Sequence, residues 1–267
     1  MATPEGIFFG PAGWSYADWR GTVYPQPRPP GFNALAFLAG RFDFVEVNTS
    51  FYRIPGIRLS QGWVDQTSGF PEFRFWLKLH QSFTHEQRLE RPLLDAFLVC
   101  LRPLQDAGKL AGVLAQFPYS FHRTPASLAF LGDLAAGFRD LPLAVEFRHQ
   151  DWHENGVLAF FRERGLVWAN IDQPPVSRSL GLTALVTARD TAYLRLHGRN
   201  AANWFSSQGR DARYDYSYSA VELARLAEVV ARLKSQAKNV FVSGNNHYRG
   251  AAVKNLLQLK DILLGRS

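Results

Sequence analysis

Eight short apolar runs recur along the 267-residue chain, and most of them are separated by stretches with helical spacing. The runs are IFFG from Ile7, FDFVEVN from Phe42, FRFWLKLH from Phe73, GVLAQF from Gly112, LPLAVEFR from Leu141, LVWANID from Leu166, AYLRLHG from Ala192 and NVFVSGNN from Asn239. Between them, segments such as LLDAFLVCLRPLQDAG from Leu93 and AVELARLAEVVARLKSQA from Ala220 repeat apolar residues every three to four positions, as one face of a helix requires. Strand followed by helix, repeated, calls for a parallel sheet. The length is close to the roughly 250 residues of a (β/α)8 barrel, so the expectation is an α/β fold, one TIM-barrel domain over residues 1–267. Residues 173–190 carry no convincing crossover helix, which predicts an irregular connection between the sixth and seventh strands.

Side chains alternate across a strand, so parity assigns them to faces. Phe44, Glu46 and Asn48 fall together, opposite Val45 and Val47. The same spacing groups Trp76, Lys78 and His80, sets Gln116 apart from Val113 and Ala115, and groups Glu146 with Arg148, Asn170 with Asp172, Arg195 with His197, and Asn245 with Ser243. The polar members come late in each strand, while earlier positions on the same face are apolar or small: Phe44, Trp76, Leu114, Ala144 and Trp168. An antiparallel sheet with one wet face also alternates, but it does not gather polar residues at one end. A barrel filled below and open above does, and barrel active sites lie at the C-terminal ends of the strands.

Thirty Lys and Arg against 23 Asp and Glu give a net charge of +7, which favours anionic partners, small molecules or nucleic acid. The single cysteine, Cys100, lies in the apolar stretch AFLVCL; it excludes an intrachain disulfide and fits a reducing cytoplasm. The N-terminus lacks the basic and apolar regions of a signal peptide, and no apolar run is long enough to span a membrane. The expected location is therefore cytoplasmic.

The blocks GPAGWSYADWRGTVYP, FVEVNTSFYRIP, FxxKLHxxxTHE around Lys78 and His85, LAQFP, AVEFRHQDW, YLRLHGR and NNHYRGAAVKN occur in that order over nearly the whole chain. Together they resemble the YecE-like family, a family of domains of unknown function. The resemblance implies a (β/α)8 barrel with a pocket, and carries no established activity.

Several chemistries fit a polar barrel mouth. Glu46 and Glu146 can divide acid and base work if their surroundings separate their pKa values, with His80 and His197 assisting. His80, Glu146, Asp172 and His197 are also suitable donors for a divalent metal, although no compact ligand motif exists. Lys78, Arg148 and Arg195 supply positive charge, and Arg199 and Arg249 lie in the loops after the seventh and eighth strands, where barrels often hold phosphate. Trp14, Asn48, Tyr52, Gln116, Trp152, Asn245 and Asn246 complete the expected substrate-binding set. The loop from Asn203 to Ser219 interleaves Arg210 and Arg213 with Trp204, Phe205, Tyr214, Tyr216 and Tyr218, a pattern that stacks on bases or closes as a lid. The leading expectation is an enzyme, a hydrolase or lyase, acting on a phosphate-bearing substrate such as a nucleotide or nucleic acid. A carbohydrate-active barrel, using Trp14, Trp19, Trp152 and Trp204 as sugar platforms, and a non-catalytic nucleic-acid-binding module are the alternatives.

Overall fold

The computed structural model describes residues 4–204 and 213–266, so Phe205 and Arg210 of the aromatic loop lie outside the described residues. Eight strands are described: β1 (Ile7–Pro11), β2 (Phe44–Val47), β3 (Arg74–Lys78), β4 (Leu110–Gln116), β5 (Leu143–Glu146), β6 (Val167–Asp172), β7 (Thr191–Leu196) and β8 (Asn239–Gly244). All pair in parallel, in the order β1-β8-β7-β6-β5-β4-β3-β2. The ring closes where Ala12 bridges Glu46 and the Gly13 N–H donates to the Glu46 carbonyl at 2.8 Å. Helices α1 (Ala34–Ala39), α2 (Ile57–Gln66), α3 (Gln81–Thr84), α4 (Arg91–Asp106), α5 (Pro125–Gly137), α6 (Asn155–Arg164), α7 (Ala220–Lys234) and α8 (Ala251–Leu263) lie in the connections. This is the expected (β/α)8 barrel. No helix among the described residues is long and apolar enough to cross a membrane.

Closure depends on a residue without a side chain. A Cβ on Gly10 would lie 2.2 Å from the Phe44 carbonyl oxygen and 2.8 Å from the Phe44 ring, so β1 and β2 approach only because position 10 is bare. Backbone cannot yield as a flexible side chain can. Gly10→Ala is therefore expected to lower stability by about 1–3 kcal/mol or more, measured by urea denaturation; an unchanged midpoint would show that the seam is looser than described.

Inside the barrel, Phe44, Trp76, Leu114, Ala144, Val167, Ala169, Tyr193 and Phe241 form one buried cluster. Trp76 and Tyr193 meet at 4.4 Å between ring centroids, and Phe8 stacks on Phe241 at 4.8 Å. This plug fills the lower barrel, so polar side chains above it stand on a dry floor. Two larger apolar clusters pack the outer faces of the strands against the helices. Cys100 belongs to one of them, and burial pushes its thiol up to about 12, as suits an inert cysteine.

The sixth strand reverses the expected faces. Ala169 and Ile171 pair with Tyr193 and Arg195, so they face inward, and Trp168, Asn170 and Asp172 face out. The cause is the missing crossover helix: residues 173–190 run back along the barrel without a helix, and an extended segment must find hydrogen-bond partners for its backbone. Asn170 provides them. Its Oδ1 accepts from the Leu185 N–H at 2.8 Å and from Thr183 Oγ1 at 2.7 Å, while its Nδ2 donates to the Leu185 carbonyl at 3.0 Å. Trp168 Nε1 donates to Thr183 Oγ1 at 3.2 Å.

Candidate active site

Three strands deliver the charged centre of the barrel. Glu46 on β2, Glu146 on β5 and Arg195 on β7 point inward above the Trp76–Tyr193 floor, and each is 0–2% exposed. A buried charge is tolerated only when paired and hydrogen-bonded. Arg195 grips Glu46 with two nitrogens, Nε to Oε2 at 2.8 Å and Nη2 to Oε1 at 2.5 Å, and turns Nη1 to Glu146 Oε2. Tyr193 and Ser243 hydroxyls also donate to Glu46 Oε2, at 2.8 and 3.1 Å. On the other side, Arg148 Nη2 lies 2.7 Å from Glu146 Oε1.

The pairing decides which groups can exchange protons near neutrality. Burial alone would raise the Glu146 pKa, but Arg148 and Arg195, helped by His197, hold the carboxyl well below its usual range. Glu146 thus remains a carboxylate. His197 is fully buried, and burial with the nearby Arg148 lowers its pKa to about 3, so the ring is neutral. Asn245 Nδ2 lies 2.9 Å from His197 Nδ1 and can only donate there. The ring proton then sits on Nε2, 3.3 Å from Glu146 Oε1.

Lys78 behaves differently. Its Nζ donates to Gln116 Oε1 at 2.7 Å and lies 4.0 Å from the centre of the Phe51 ring. Burial, reinforced by Arg195, lowers its pKa to about 7. A neutral amine is therefore accessible at physiological pH, and desolvation beside other cations is the environment that activates lysines in enzymes.

Above these groups lies an opening of about 400 Å³ counted out to its rim, lined by Asn48, Tyr52, Lys78, Gln116, Arg148, Arg195 and Asn245 together with Tyr16, Tyr214 and His247. Tyr16 stacks on His247 at 4.4 Å. A second, more apolar hollow of about 1010 Å³ shares Tyr16, Asn48 and Tyr52 with the first and continues over Trp14, Leu59 and Trp63. Tyr52 and Leu59 are 57% and 53% exposed there. The mouth therefore has a charged well and an aromatic shelf with a common wall.

Other expected site residues are placed elsewhere. His80 caps α3, its Nδ1 accepting from the Ser82 N–H at 3.3 Å. Asp172, on the outward face of β6, takes Arg199 Nε at 3.0 Å, and Arg199 also binds Glu222 at 3.1 Å; the pair fastens β6 and the loop after β7 to the start of α7. Thus His80, Glu146, Asp172 and His197 do not converge as a metal site. Trp152 is 0% exposed, stacked 4.0 Å from Phe147 and donating through Nε1 to the Phe121 carbonyl at 2.7 Å. Trp19 is equally buried and Trp204 is 6% exposed, which leaves Trp14 alone partly open among the four sugar platforms expected from sequence. Asn246 Nδ2 donates to the Tyr216 carbonyl at 2.9 Å and to Asn255 Oδ1 at 3.1 Å. Arg249 is exposed outside the cavity, its N–H donating to Asp18 Oδ2 at 2.6 Å. Tyr193 was missed, although its parity with Arg195 marks it as inward-facing. Tyr16 and His247 had no such signal, because they meet from opposite ends of the chain.

The family described as "Protein of unknown function DUF72" matches residues 8–266. The chain is 33% identical over 273 residues to the UPF0759 protein YunF of Bacillus subtilis, covering 96% of this chain and 94% of that one. It is 29% identical over 164 residues to the UPF0759 protein YecE of Escherichia coli K12, covering 60% and 55% of the two chains. A DUF72 family protein of Thermotoga maritima superposes with a TM-score of 0.84 at 33% identity, over 97% of this chain and 99% of that one. One from Enterococcus faecalis gives 0.86 at 29% identity, over 97% and 95%.

Proposed function

The chain belongs to the DUF72 family, and on that premise we propose that it is an enzyme that binds a small anion carrying an apolar or aromatic body, with Lys78 as its acid/base group. The observation that carries this reading is the balance of charge at the mouth. Glu46 and Glu146 are matched by Arg195 and Arg148, so protonated Lys78 is left with a neutral partner, Gln116. An anionic substrate group, a phosphate or carboxylate, supplies the missing negative charge and meets the Arg148 edge of the cavity. Asn48 Oδ1 is buried there with no donor among the described residues, which suits a ligand N–H or hydroxyl. The aromatic shelf over Trp14 and Tyr52 accommodates the rest of the molecule.

In the proposed reaction Lys78 holds the anion as the ammonium and gives a proton to the bound substrate, or takes one back, most effectively at a pH close to its pKa in the complex. Glu146 and Glu46 fix Arg195, and neutral His197 holds the Glu146 edge. This moves the acid/base role expected of the two glutamates to the lysine.

Phenyl phosphate and inorganic phosphate test the two halves of the site, using quenching of tryptophan fluorescence and competition. Phenyl phosphate is expected to bind about 10-fold or more tightly than inorganic phosphate, a gain of about 1.4 kcal/mol. Tyr52→Ala should remove that preference, whereas Lys78→Met should weaken both ligands by a similar factor. Binding of neither anion, or equal binding to wild type and Lys78→Met, would count against the proposal.

A further inference from the structure

A second cluster lies beside the mouth, in the loops that follow β4 and β5. His122 Nδ1 is 2.9 Å from Asp151 Oδ2, and His149 Nδ1 is 3.0 Å from Asp151 Oδ1. One donor atom from each of the three residues lies within 4.8 Å of the others. His149 is 5% exposed and its ring sits 4.4 Å from that of His122.

The hydrogen bonding within this cluster is incomplete. His149 Nδ1 accepts from the Asp151 N–H at 3.3 Å, so in that arrangement it carries a lone pair rather than a proton. It nevertheless faces Asp151 Oδ1, which is buried and has no hydrogen-bond donor among the described residues. Facing lone pairs 3.0 Å apart repel, and either a proton on Nδ1 or a metal ion between the two atoms removes that repulsion. Neither neighbouring arginine supplies the compensating charge: Arg123 turns its guanidinium to Glu154 at 3.1 Å, and Arg148 turns its own to Glu146 at 2.7 Å.

We propose that His122, His149 and Asp151 form a binding site for a divalent transition-metal ion of the zinc class. Two imidazoles and one carboxylate are borderline donors, which select zinc and its first-row neighbours over magnesium or calcium. At Zn–N and Zn–O distances of about 2.0–2.1 Å, tetrahedral donors stand about 3.3 Å apart; the two His–Asp separations of 2.9 and 3.0 Å are already near this, and the three donor atoms, within 4.8 Å of one another, would close onto the ion by side-chain rotation. A groove lined by His149, Asp151, His153 and Glu154 leaves the remaining coordination position open.

The site has a mechanical consequence for the mouth. His149 follows Arg148 directly, and His122 comes from the neighbouring loop. An ion joining them pins the chain that carries Arg148 toward Glu146, so the metal acts as a positioning clamp and needs no contact with substrate.

Calorimetric titration of Zn²⁺ into chelator-stripped, untagged protein tests the assignment. The expected result is one Zn²⁺ per chain with a Kd of about 10 µM or tighter. His122→Ala, at a side chain that is 51% exposed and safe for the fold, should weaken binding about 10-fold or more, as should Asp151→Asn. Cobalt-substituted protein should show visible d–d bands that disappear in His122→Ala. Absence of saturable uptake, or stoichiometric uptake that survives both substitutions, would overturn the site.

Discussion

Arg195→Met is expected to destabilise the protein by about 3–5 kcal/mol, because it strips the partner from two buried carboxylates at once. Glu46 and Glu146 are both 0% exposed. Glu46 would keep only the hydroxyls of Tyr193 and Ser243, and Glu146 only Arg148 and His197. Arg195→Lys should recover little, since a single ammonium cannot reproduce a fork that binds one carboxylate with two nitrogens and a second with the third. Adding Glu46→Gln to Arg195→Met should restore part of the loss, because it removes one of the stranded charges. Urea denaturation of the three variants at pH 7 measures this, and a loss below about 1 kcal/mol for Arg195→Met would mean that the cluster is solvated like a surface pair.

The same cluster sets an acid limit. Glu146 has a folded pKa well below its ordinary 4.5, so in the unfolded chain it binds its proton at higher pH than in the fold. The stability this contributes is complete above the unfolded value and is lost as pH falls below about 4.5 toward the folded pKa.

Strand parity in the sequence is enough to locate most of this centre. It placed Glu46, Lys78, Glu146, Arg148, Arg195, His197 and Asn245 on inward faces because each strand has apolar residues on its opposite side and a neighbour obeying the same rule. It failed on β6, where Val167, Ala169 and Ile171 are as suited to a barrel interior as Trp168 is to the outside. The choice there was made by residues 173–190, whose backbone needed Asn170. Pairing was also beyond local spacing. Nothing near Glu46 announces that its partner lies 149 positions away, and so two glutamates that looked free for acid/base work turn out to be the anchors of an arginine. Trp152 illustrates a related limit: a tryptophan in a loop at the mouth end reads as a ligand platform, yet stacking on Phe147 and a hydrogen bond to Phe121 draw it into the outer core.

Lys78→Met is expected to stabilise the protein, and by an amount that depends on pH. In the unfolded chain the amine has its ordinary pKa of 10.5, whereas burial and Arg195 lower it to about 7 in the fold. Between these values the unfolded chain binds the proton and the fold does not, so wild-type stability rises with pH across the interval from about 7 to 10.5. Below pH 7 the fold carries the whole cost of burying the charge. Methionine fills a similar volume without that charge, and the difference between variant and wild type should therefore be greatest at pH 7 and below, on the order of a few kcal/mol, and close as pH approaches 10. Measuring both proteins at each pH cancels the titration of every other group. A difference that stays constant with pH would place the Lys78 pKa near its ordinary value and remove it as the acid/base group. A bound anion should act in the opposite direction on the same residue: it compensates the ammonium, raises the Lys78 pKa and stabilises wild type more below pH 7 than above it, an increment absent from Lys78→Met. The destabilising charge at the floor of the mouth is then the feature that an anionic ligand is positioned to relieve.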